Sequence, residues 1–151
     1  MKIKWFWDQE YATNEIGIQL HPVNQSLAAE LTKAIHQEQL LEVIQPANER
    51  RQNISLSQVL LIEAMDQLSK VYTTDDQVFY LKGRLKEFEY LQAAGIFRIN
   101  NSVILNLAEV ASFKNGQYAR LEVQLKNGQT LTVSRHYAKQ IKEASAAFSS
   151  R

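Results

Sequence analysis

FRINNSVILNLAEVASF, residues 97–113, decides how this chain is read, because it joins two patterns with different physical demands. Arg98, Asn100, Asn101 and Ser102 form a polar, basic turn, and the largely apolar run 103–107 behind it has the composition of a strand. Further on, LKNGQTLTVSRHYAKQIKEA at 125–144 holds an Asn-Gly pair, a short alternating segment and then Ser134-Arg135 at the head of a helical pattern. Asn-Gly supplies the positive φ angles of a two-residue hairpin turn, so each copy of Lys-Asn-Gly-Gln, at 114–117 and at 126–129, is expected to mark a strand reversal of that kind. Ser134 is a helix-capping residue, and the helical period puts Tyr137 and Ile141 inward with Lys139 and Lys142 outward. Upstream, ISLSQVLLIEA at 54–64 is a further strand-like run.

In this order the three stretches resemble the LytTR family of bacterial DNA-binding domains, whose pattern runs roughly F-x-R-I-x-[RKN]-S-x-I-V-N-L…I, then L-x-N-G…V-S-R-x-Y-x-K-x-[IL]. Arg98, Ile99, Ser102, Ile104, Asn106, Leu107 and Val110 match its first part. Leu125, Asn127, Gly128, Val133, Ser134, Arg135, Tyr137 and Lys139 match its second. The run at 54–64 is similar to the family's I-x-L-x-x-I-x-Y-I-E-A opening. The resemblance spans about residues 40–145. It implies an elongated β-fold that puts loops, not a recognition helix, into successive major grooves of a two-part site. It also implies a homodimer on double-stranded DNA, and a small membrane protein as a restraining partner of short members of this type. Asn100-Asn101 stands where most members carry His-Arg or a lysine.

Composition narrows the alternatives. A length of 151 residues with 45% hydrophobic and 22% charged residues suits one soluble domain, or one with a small appendage. The absence of cysteine excludes a disulfide framework, a thiolate metal site and a cysteine nucleophile, and fits a reducing compartment. No apolar run approaches the roughly 18 residues of a membrane helix, and Asp8 and Glu10 interrupt any signal-peptide core. A cytoplasmic location is the expectation. The net charge of +1 conceals an asymmetry: residues 1–93 carry nine Lys/Arg against thirteen Asp/Glu, and residues 94–151 carry eight against three. Only the C-terminal part has the basic balance that phosphate neutralisation requires.

The expected organisation is α+β and mainly β. Residues 1–39 read as a small β-β-α unit for interaction or dimerisation, with strands at 2–8 and 15–20 and a helix bearing Leu27, Leu31, Ala34 and Ile35 on one face. Trp5 and Trp7 share a face of the first strand and are expected to be buried within that unit, an interface being the second reading. Residues 40–151 form the LytTR-like domain. Strands are expected at 40–46 and 54–64, with the polar ANERRQN between them as a loop, and a hairpin joins KVYTT to QVFYLKG. A central helix covers 84–94 and stops at Gly95, and strands follow near 97–105, 109–114, 117–126 and 129–134. The first 39 residues are too few for a receiver domain.

Candidate DNA contacts fall in three clusters. Arg98, Asn100, Asn101 and Ser102 suit base reading, since Asn pairs bidentately with adenine and Arg with guanine. Ser134, Arg135 and Lys139 lie at the start of the last helix, where backbone amides favour phosphate. Ser69 and Lys70 are expected on a turn that enters the other groove. The bland alternatives are a turn pair for Asn100-Asn101, a surface ion pair for Arg135 and an ordinary exposed lysine for Lys70. Enzyme chemistry is not expected: Ser134 and His136 lack the separate orienting elements of a nucleophilic triad. His21, His36 and His136 stand alone, so no metal, cofactor or small-molecule substrate is expected. The rival reading is a protein-interaction module that keeps the fold without the DNA role.

Overall fold

Polar residues that interrupt the apolar alternation mark most chain reversals in the computed structural model, which describes residues 1–13, 15–38 and 40–149. Seven strands, β1 (Leu40–Ile44), β2 (Arg51–Ser55), β3 (Val59–Met65), β4 (Leu68–Thr73), β5 (Val78–Lys82), β6 (Ile96–Arg98) and β7 (Val103–Asn106), build one antiparallel sheet in the order β2-β1-β5-β4-β3-β7-β6. A second sheet, ordered β10-β9-β8, is made from β8 (Val110–Asn115), β9 (Leu121–Leu125) and β10 (Thr130–Val133). Helix α1 (Leu27–Glu38) precedes the first sheet and helix α2 (Arg135–Ser149) follows the second. The α+β class with a dominant β content is as the sequence implies.

Two apolar cores lie on opposite faces of the large sheet, and β3 and β7 contribute to both. Ile62 and Ile104 point to one side, where they meet Val43, Val71, Phe79 and Leu81 and are covered by Leu85, Phe88 and Leu91. Leu61, Val103 and Leu105 point to the other side, against Leu121, Val123 and Leu125 of β9 and Ala138 and Ile141 of α2. Alternation across the pleat explains this double use. A register shift between Val59 and Leu61 lets the adjacent Leu60 and Leu61 both join the second core, as a β-bulge does. Asn106 is buried at the end of β7 and fully used: its amide nitrogen donates to the Val59 carbonyl at 2.9 Å and its oxygen accepts from Ala108 N at 3.0 Å.

Several sequence expectations change. The cover over the first core is a 3-10 helix, Leu85–Ala94, where an unspecified helix was expected. Its buried residues Leu85, Phe88 and Leu91 recur every third position, the period of a helix with three residues per turn. Gly95 ends it in the left-handed region at φ 84°, as expected. The polar stretch read as a loop contributes Arg51, Gln52 and Asn53 to the edge strand β2, where charged and polar side chains guard the open edge. The single strand expected over 97–105 is two strands, β6 and β7, around the turn 99–102.

No strand forms at 2–8 or 15–20 among the described residues, although α1 is present with Leu27, Leu31 and Ile35 half-buried. An isolated two-stranded hairpin is marginal in water, and these segments find no third strand to pair with. Trp5 and Trp7 are exposed, which overturns their expected burial.

Candidate nucleic-acid interface

The turn 99–102 is fixed by more bonds than a four-residue reversal needs. Ile99 is buried and its amide closes the turn on the Val103 carbonyl at 3.0 Å. Asn100 acts inside the structure: its oxygen accepts from Ser102 N at 2.8 Å and its amide donates to the Thr132 carbonyl of β10 at 3.0 Å. Arg98 is mostly covered and donates three times, to the carbonyls of Asn100 and Asn101 at 3.1 Å each and to the Glu89 carboxylate of the 3-10 helix at 2.9 Å. The Ser102 carbonyl accepts from Ala64 N of β3 at 2.8 Å. Asn101 and Ser102 remain exposed, and their side chains make no hydrogen bond among the described residues.

The start of α2 is bonded to this turn. Ser134 N donates to the Ile99 carbonyl at 2.8 Å, so Arg135, the first residue of α2, stands one residue beyond the contact. Arg135 is exposed, and with Lys139 and Lys142 it occupies positions i, i+4 and i+7 on the outer face of the helix. The inner face carries Ala138, Ile141 and the half-buried Tyr137, as the sequence period requires. His136 is exposed and meets the Tyr137 ring edge-on at 4.7 Å. The first and second candidate clusters therefore form one surface, whose parts lie more than thirty residues apart in the chain.

The third cluster does not join it as expected. Leu68, Ser69 and Lys70 lie in β4 and not on a turn; the reversal between β3 and β4 falls at Asp66-Gln67, with Asp66 at φ 54°. Ser69 is fully buried and donates to the Gly83 carbonyl at 2.8 Å, so its hydroxyl is unavailable to a ligand. Lys70 is half-buried, paired in register with Glu63, and its ammonium sits 5.4 Å from the centre of the Tyr72 ring. The carboxylate of Asp66 would repel phosphate at this tip.

Two residues were not among the candidate contacts. Lys142, placed outward by the helical period, is exposed and completes the cationic stripe at i+7 from Arg135. Glu89 anchors Arg98 and carries no local signal, because its partner lies nine residues away across a helix end and a strand. Among the described residues no group of three or more His, Asp or Glu side chains could hold a metal, and no helix is long and apolar enough to cross a membrane.

The family model described as the LytTr DNA-binding domain matches residues 49–146, a span that holds the pinned turn, the start of α2 and both strands of the β3–β4 hairpin. No match is found among curated protein sequences. Among solved structures the chain is similar to a LytTr DNA-binding domain from Bacillus cereus, described as part of a methyl-accepting/DNA response regulator. The TM-score is 0.61 at 21% identity, over 70% of this chain and 95% of that one, which establishes the shared fold. Since the matched region covers well over half of its length, the chain belongs to the LytTR family and carries a LytTR DNA-binding domain.

Proposed function

We propose that the protein is a sequence-specific transcription regulator whose turn 99–102 and α2 start enter the DNA grooves of a two-part site. The observation that carries this reading is the pinned turn. Its own polar groups are satisfied inside the fold, while Asn101 and Ser102 point out beside the Arg135–Lys139–Lys142 stripe. A rigid turn holds an amide side chain ready for an adenine edge without an ordering penalty. The free amides at the start of α2 and its cations supply the phosphate contacts. Arg98 and Asn100 are positioning residues in this reading, and Ser69 has no part in the contact. In the family frame a homodimer occupies the two half-sites, Lys70 is a minor contributor, and the protein works in the cytoplasm, with a small membrane protein as a restraining partner.

Residues 40–151 are proposed as the DNA-binding unit and 1–39 as a separate interaction unit. A 40–151 fragment is expected to keep its circular dichroism and its DNA affinity; loss of either would unite the two units. The rival reading, a protein-interaction module without a DNA role, draws on the exposed aromatic N-terminal segment and on Asp66 at the second tip. A salt titration of binding to random duplex separates the two. The regulator gives a plot of log K against log salt that falls by about 0.9 per phosphate contacted, and no binding at low salt would favour the module.

A further inference from the structure

The chain has two tryptophans, and both stand in the stretch KIKWFWD at 2–8. Ile3 is 73% exposed, Trp5 75%, Phe6 83% and Trp7 91%, and none of the four belongs to either core. At roughly 200 Å² per ring, the three consecutive aromatic residues leave about 500 Å² of apolar surface in water, as large as the patches that mark interaction sites on soluble proteins. The Trp5 and Trp7 rings lie 6.5 Å apart and within 13° of parallel, with Phe6 between them in the chain. Residues 1–7 form no regular element and make no backbone hydrogen bond among the described residues.

Three observations narrow what covers such a segment. A groove in a protein covers one side of a peptide, whereas three adjacent exposed rings offer apolar surface on more than one side and suit a medium that surrounds them. The unpaired backbone groups exclude a hydrocarbon interior, where nothing would bond them, and fit a lipid headgroup layer, where water still does. Tryptophan favours that layer because its ring is apolar and its N–H polar. Charge then selects the lipid. Lys2 and Lys4 alternate with Ile3 and Trp5, and no acid occurs before Asp8, so their stems can lie along the apolar layer with the ammonium groups among phosphates. At Asp8 the chain turns: the carboxylate accepts from Glu10 N at 2.9 Å and the carbonyl from Tyr11 N at 3.3 Å, which puts Asp8 and Glu10 in a turn that follows the aromatic residues.

We infer that residues 2–7 dock on a bilayer surface that displays anionic phospholipids, with Ile3, Trp5, Phe6 and Trp7 in the headgroup layer and Lys2 and Lys4 at the phosphates. The contact is interfacial, since the stretch is about a third of the roughly 20 residues that a spanning helix needs. It is also reversible. At the strength of a single acyl chain, half-binding falls near about 0.1 mM accessible lipid. The contact needs lipid alone and no membrane protein, and it does not rest on the DNA-binding reading.

The full chain, without DNA, is mixed with vesicles of phosphatidylcholine and phosphatidylglycerol or with vesicles of phosphatidylcholine alone, and followed by flotation and by tryptophan emission, which reports this segment only. The expected result is a blue shift and co-flotation with the anionic vesicles, half-complete at about 0.1–1 mM lipid, and binding about tenfold weaker to the neutral ones. Lys2→Gln with Lys4→Gln removes that preference. Trp5→Ser with Trp7→Ser abolishes flotation and leaves the fold intact, since neither ring is in a core. A double tryptophan variant that still floats would be held by the basic C-terminal part, and overturns the inference. So does equal binding to the two vesicles, and so does an emission that neither vesicle changes, which would leave the rings to a protein partner.

Discussion

Two reversals project from the same end of the seven-stranded sheet, yet they are built on different principles. The turn 99–102 and the Asp66-Gln67 tip are neighbours, since Glu63 pairs with Val103 and Ala64 N donates to the Ser102 carbonyl. The Asp66-Gln67 tip is a minimal reversal with one residue at positive φ, and the side chains after it turn to the core or to an aromatic ring. The 99–102 turn spends two side chains, Arg98 and Asn100, on its own backbone and leaves Asn101 and Ser102 outward. A surface can read a ligand when something else holds it still, and only one of these reversals has that support.

The contrast is open to breakage, beginning with Arg98→Ala. Three charge-assisted bonds disappear, and stability is expected to fall by about 2 kcal/mol in denaturant melts, with specific DNA affinity down at least tenfold in mobility-shift assays. Arg98→Lys should rescue little, because one ammonium cannot reproduce the fork. An affinity loss without any loss of stability would mean that the guanidinium meets DNA directly. Arg135→Ala is next, with affinity expected to drop by about 1–3 kcal/mol and melting unchanged. Unaltered binding would remove α2 from the contact.

Asn101→Ala sharpens the comparison further. Selection from a random DNA pool should return a consensus that is degenerate at one position per half-site, at about 1 kcal/mol, whereas uniform weakening would reassign Asn101 to phosphate. The smallest effects belong to the other reversal. Lys70→Ala should change DNA affinity by less than about 0.5 kcal/mol, while Ser69→Ala, which strands the Gly83 carbonyl, should lower stability by about 1 kcal/mol and leave affinity alone. A Lys70 effect as large as that of Arg135 would erase the distinction between the two reversals.

The sequence pattern that led to the family encodes the frame more than the contact. Ile99, Ile104, Leu107, Leu125 and Val133 are buried, and Asn106 is spent on main-chain groups. Such residues repeat at strand period and are therefore legible, as are the β4–β5 hairpin and the two faces of α2. The repeated Lys-Asn-Gly-Gln marks where local reading fails. At 126–129, Gly128 adopts φ 90° and closes a tight reversal through its bond to the Leu125 carbonyl at 2.9 Å. At 114–117 the same residues lead into a longer loop, where Gly116 is not left-handed and Tyr118 and Ala119 take positive φ of 58° and 61°. Strand register decides between these outcomes: pairing of Asn115 with Leu121 leaves 116–120 to be bridged. Neither tetrapeptide is the two-residue turn that was expected. The partners of Arg98 and Asn100, and the burial of Ser69, were equally invisible, because each depends on a strand brought in from a distant part of the chain.

That remoteness gives the candidate surface a place in time as well as in space. Asn100 closes on Thr132 across 32 residues, and the Ile99 carbonyl waits for Ser134. Contacts of such span carry a loop-closure cost and form late in folding. A chain emerging from the ribosome has its Arg98 and Asn101 in hand well before β10 exists to hold them, and under the proposed contact it would not grip DNA until α2 is made. Molecules cut between the turn and α2 would then be silent rather than promiscuous, and the competence to bind would report that β10 and α2 were both in place.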